Sequence, residues 1–70
     1  MERYYVNKAP QWNGDHEIHK ERCTFLSVYR ELVGEFESCF EAVKEAKENH
    51  FVRSNGCLHC CRECHSQKYC

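Results

Sequence analysis

The chain has 70 residues, 10 basic and 11 acidic, for a net charge of −1; that is room for one domain and no more. The balanced charge excludes a broad electrostatic pull toward nucleic acid or an anionic membrane. No stretch approaches the ~18 apolar residues of a membrane span, and Met1 to Lys8 lacks the apolar core of a secretory signal, so the expected setting is the cytoplasm.

Tyr4-Tyr5-Val6 is aromatic and β-branched and predicts a first strand. Ala9 to Asp15 reads as a loop, with Pro10 breaking pairing and Asn13-Gly14-Asp15 signalling a turn. His16 to Lys20 predicts a return strand that completes a hairpin over residues 3–20, with His16 and Ile18 on one face and Glu17 and His19 on the other. Cys23 to Leu32 is ambiguous between a helical turn and an irregular crossing, and Leu32 to Phe36 reads as a third short strand.

The clearest element is a helix from Ser38 to Asn49. Ser38-Cys39-Phe40-Glu41 matches a capping box, in which hydroxyl and carboxylate each accept from an otherwise unpaired amide. Cys39, Ala42, Val43 and Ala46 recur at helical spacing and form a narrow apolar stripe that lets the helix lie close to a sheet. Cys39 there reads as a free thiol acting as a small apolar side chain. His50 to Arg53 is a short apolar link and a candidate last strand, and Ser54-Asn55-Gly56 reads as a turn. Residues 1–65 form the expected single domain and residues 66–70, ending in Cys70, a flexible tail. The expected fold is α+β: a small antiparallel sheet of about three strands under one main helix.

Such a chain needs a staple. Ordering costs about 1.5 kcal/mol per residue, on the order of 100 kcal/mol here, and apolar burial in a fold this small only about matches it. Seven of the 70 residues are cysteine, the density of a crosslinked or metal-bound scaffold. An odd number leaves one thiol over if all pair, and no signal points to an oxidising compartment, so metal is favoured over disulfides.

Zinc takes four thiolate or imidazole donors in a tetrahedron, and two short chelating pairs from distant segments supply them economically. Cys57-x-x-Cys60 is one pair, preceded by Gly56, whose tolerance of positive φ suits a tight turn. His19-x-x-x-Cys23 is the other. His19, Cys23, Cys57 and Cys60 are the expected ligands. Cys61-x-x-Cys64 overlaps the second pair and is the alternative to it, with His16 and His65 nearby and a second metal open on ligand count alone. His50 and His59 read as ordinary surface residues.

From about Tyr4 to Cys60 the chain resembles the metal-binding domain of Ada DNA-repair proteins. The resemblance rests on the leading hairpin, the His19/Cys23 pair, Gly34-Glu35-Phe36-Glu37-Ser38 followed by Ala42, and Gly56-Cys57-x-x-Cys60. It implies an Ada-like fold and one zinc. In that family both members of the first pair are cysteine, and a zinc-bound thiolate takes a methyl group from a damaged DNA phosphate; here imidazole stands at position 19. The chain is also similar to a group of small bacterial proteins built around N-G-D-H-E-x-H and G-C-x-x-C, which implies no activity. No Ser/His/Asp set, phosphate loop or paired catalytic carboxylates stand out, so the expectation is a zinc-stabilised binding module with a protein partner rather than an enzyme. An Ada-like methyl acceptor, or a thiol-reactive metal or redox protein, is the alternative.

Overall fold

A computed structural model describes residues 1–66. Four strands form one mixed sheet: β1 (Glu2–Asn7), β2 (His16–Lys20), β3 (Arg30–Phe36) and β4 (Ser54–Gly56), in the order β3-β1-β2-β4. One helix, α1 (Cys39–Asn49), connects β3 to β4, and a short 3-10 turn spans Arg62–Cys64.

β1 and β2 form the predicted hairpin, with Tyr5 opposite His19 and Val6 opposite Ile18. Residues directly opposite share a face. Val6 and Ile18 therefore look toward α1, while Tyr5 and His19 look to the other side. β3 pairs antiparallel to the far edge of β1, with a register shift between Tyr4 and Tyr5. Gly34, at φ +146°, absorbs that irregularity in a region of backbone space that side chains avoid.

The core is small. Tyr4, Val6, Ile18 and Val33 from the sheet meet Cys39, Ala42 and Ala46 from the helix, and Phe36, Val43 and Phe51 pack around them. The predicted stripe is the buried face of α1, and its alanines permit close approach. At the helix start the Ser38 amide donates to Glu41 Oε1 at 3.2 Å.

Two readings change. The last strand falls on Ser54–Gly56 rather than on residues 50–53, and it runs parallel to β2, pairing His16 with Ser54, Glu17 with Asn55 and Ile18 with Gly56. Ser-Asn-Gly has poor intrinsic strand preference; it is extended because α1 returns the chain along the open edge of β2. Cys39 is not a free thiol either: it is disulfide-bonded to Cys64. The helix start and the 3-10 turn meet at one corner of the core, a proximity that helical periodicity does not encode.

Asn55, buried at 8 % exposure, donates through Nδ2 to the Ser66 carbonyl at 2.6 Å and accepts from the Ser66 amide at 3.0 Å. The reciprocal pair straps the end of the 3-10 turn to β4. Of the tail expected over 66–70, residues 67–70, Cys70 included, lie outside the described residues. Among the described residues no helix is long and apolar enough to cross a membrane.

Candidate metal centre

The parallel pairing of β2 with β4 builds the site. Gly56 lies opposite Ile18, and the Cys57 amide donates to the Ile18 carbonyl at 3.0 Å, which sets Cys57 beside His19. After β2 the chain bends at once, the Cys23 amide donating to the Lys20 carbonyl at 3.0 Å, and this bend carries Cys23 to the same place. After β4 it bends again, the Cys61 amide donating to the Cys57 carbonyl at 2.9 Å. The turn aims both Cys57 and Cys60 at one point.

One donor atom from each of His19, Cys23, Cys57 and Cys60 lies within 4.8 Å of every other. That is close enough to hold a metal ion, and the four are the residues expected from spacing. His19 and Cys57 are buried, whereas Cys23 and Cys60 are partly exposed. The Cys23 and Cys57 sulfurs stand 3.9 Å apart. Backbone amides also point at the sulfurs: Lys20 N–H donates to Cys60 Sγ at 3.2 Å, and His59 N–H to Cys57 Sγ at 3.3 Å. Such bonds favour the thiolate, the form that binds metal.

The fit rests on His19. Its side chain is fully buried, and Nε2 lies 3.1 Å from Asn7 Nδ2 and 3.2 Å from Glu17 Oε1. Its other nitrogen, Nδ1, is buried with no hydrogen-bond partner. A buried polar atom left unpaired costs about 1–3 kcal/mol, so an unpaired nitrogen on a residue clustered with three sulfurs marks a donor that has a use. Burial lowers the His19 pKa, against the opposing charge of Glu17, and keeps the ring neutral as a ligand must be. Burial raises the Cys57, Cys60 and Cys61 thiols, with the backbone amides near Cys57 and Cys60 pulling the other way. A bound cation would reverse that preference and deprotonate its sulfur ligands outright.

The alternative ligand pair does not assemble. Cys64 is committed to Cys39, and Cys61 is a buried free thiol whose sulfur lies 3.5 Å from Cys60 Sγ. The remaining histidines have other tasks. His16 stacks on Phe51 at 3.7 Å between centroids and donates through Nδ1 to the Asn7 carbonyl at 3.0 Å. His50 pairs with Glu31 at 2.6 Å, His59 stacks on Phe25 at 4.3 Å, and His65 meets the Gly56 carbonyl at 2.9 Å. Sequence reasoning missed Asn7 and Glu17 as neighbours of the site. The alternation of β2, which places Glu17 and His19 on one face, was the available signal for Glu17.

No family model, curated protein or solved structure matches the chain. Fold and site define its class: over the described residues, a small α+β domain with one α-helix, a four-strand mixed sheet and a Cys/His cluster able to hold a metal ion.

Proposed function

We propose that this chain is a zinc-stabilised binding module in which the ion is structural. The observation that carries it is the convergence of His19, Cys23, Cys57 and Cys60 within 4.8 Å. A zinc–sulfur bond of about 2.3 Å in a tetrahedron gives a sulfur–sulfur edge of about 3.8 Å, and the Cys23–Cys57 separation is 3.9 Å. Four protein donors complete the coordination of zinc and leave no position for a substrate, the mark of a structural site.

Exposed apolar side chains support a docking role. Trp12 is 89 % and Val28 96 % exposed, and Phe25, Tyr29, Leu32, Phe40 and Leu58 are exposed as well. Tyr4, at 2 % exposure, belongs to the core and offers no contact surface. The partner expected is another protein.

Elemental analysis of the purified chain should give one zinc per molecule, and chelation should abolish its near-ultraviolet dichroism. Structural zinc in small peptides contributes about 10–16 kcal/mol apparent at neutral pH, more than a domain of this size holds in reserve. A chelated protein that melts like the untreated one refutes the structural role.

The Ada-like reading, methyl transfer to a metal thiolate, finds support in the partial exposure of Cys23. Intact mass after incubation with methylated phosphotriester DNA separates the two. One added methyl on Cys23 favours the acceptor; an unchanged mass leaves the ion structural.

A further inference from the structure

His19 has two neighbours at one ring nitrogen, and they ask for opposite protonation. Asn7 Nδ2, 3.1 Å from Nε2, is a donor. The amide is held in that orientation because Asn7 Oδ1 accepts from the Ser27 amide at 3.0 Å. Glu17 Oε1, 3.2 Å from the same nitrogen at ion-pair distance rather than in a formed hydrogen bond, can only accept, and its side chain is only 18 % exposed. If Asn7 donates, Nε2 is bare and the ring proton sits on Nδ1, buried with no acceptor. If Glu17 accepts, the proton sits on Nε2 and the Nδ1 lone pair is free for a cation. A neutral imidazole satisfies only one of these at a time.

We infer that Glu17 is a positioning residue, which holds the His19 proton on Nε2 and so makes Nδ1 the metal donor. The inference rests on the metal centre proposed above and adds to it which nitrogen binds and what selects it. The arrangement has the logic of a carboxylate–histidine–metal triad, in which the outer carboxylate fixes ring orientation and tautomer and increases ligand basicity. Strand geometry makes it rigid, because alternation on β2 places Glu17 and His19 on the same face. Asn7 then takes the role of a competitor. Its hydrogen bond favours the tautomer that cannot bind through Nδ1, and a cation held at Nδ1 would favour Glu17 over Asn7 as the partner of Nε2.

The test uses the full 70-residue chain with zinc as the probe. Long-range proton–nitrogen correlation spectra of the zinc-loaded protein should show His19 metal-bound at Nδ1 and protonated at Nε2. Competition against a chromophoric chelator should show zinc bound about 10–100-fold more weakly by Glu17→Ala. Glu17→Gln, which keeps an acceptor oxygen, should fall between that variant and the parent. A spectrum with Nε2 as the bound nitrogen overturns the inference even if no variant folds, as does Glu17→Ala binding zinc within about twofold of the parent, well short of that range. Failure of the parent chain to take up zinc at all overturns the metal centre itself. Zinc uptake without the Nδ1 signature overturns only the role of Glu17.

Discussion

At the scale of single residues, the site is governed by what burial does to titratable groups. Burial lowers His19 from its ordinary value of 6.5, with Glu17 opposing. In the unfolded chain the ring takes its proton near that value; in the folded chain it resists until the pH is lower. Between the two, the unfolded state binds more protons, so stability rises with pH there and is lost as the pH falls from 6.5 toward the lowered value. A bound cation competes with protons for the same donors, so acid releases it in the same direction. Melting temperature and zinc content should therefore both fall as the pH drops below 6.5, while a profile that stays flat on acidification contradicts a buried neutral His19.

Gly56 is a second residue whose role rests on geometry. Spacing suggests a positive φ, but among the described glycines only Gly14 and Gly34 adopt one. The reason for glycine at 56 is close approach: an added Cβ would lie 2.8 Å from Cys64 Cβ and 3.0 Å from the Cys61 carbonyl oxygen. The latter contact is with backbone, which cannot rotate away. Gly56→Ala should destabilise the fold by about 1–3 kcal/mol, as overpacking does. A denaturant midpoint equal to that of the parent would show that the Cys61–Cys64 segment yields freely.

At the scale of elements, the Cys39–Cys64 disulfide ties the start of α1 to the 3-10 turn across 25 residues. Closing a loop of that length in the unfolded chain is worth about 3.5 kcal/mol in the chain-entropy account. Cys39→Ala should lower unfolding free energy by about that amount in denaturant titrations. Its zinc content should stay at one per chain, because neither disulfide sulfur belongs to the His19, Cys23, Cys57 and Cys60 set. Zinc lost together with the crosslink would point instead to Cys64 as a ligand.

At the scale of the whole molecule, one disulfide and one candidate metal cluster flank a small core. An ion held by His19, Cys23, Cys57 and Cys60 would join the end of β2 to the turn after β4, and the disulfide joins α1 to the segment just beyond that turn. Between them lies Cys61, fully buried against the core, where it behaves as an apolar side chain. The sheet alone leaves β4 weakly held, since three residues of low strand preference pair with a single neighbour. The disulfide and the Asn55–Ser66 strap offset that weakness, and a bound ion would add to them. Chelation should therefore loosen β4 and the following turn first, seen as early loss of protection at the Cys57 amide, which donates to the Ile18 carbonyl, relative to the Val6 amide.

The hairpin, the helix with its cap and buried stripe, and the four clustered donors were all legible in the chain, because each rests on local rules. Alternation assigns His19 its face, helical spacing assigns Ala42 and Ala46 theirs, and a C-x-x-C turn brings its two sulfurs to one point whatever surrounds it. The strand at Ser54–Gly56, the partner of Cys39, the true reason for Gly56 and the approach of Glu17 and Asn7 to one ring nitrogen were decided only by tertiary structure. Each depends on where a distant segment comes to rest, and that is set by the packing of α1 across the sheet, a many-body outcome that no short stretch of sequence carries.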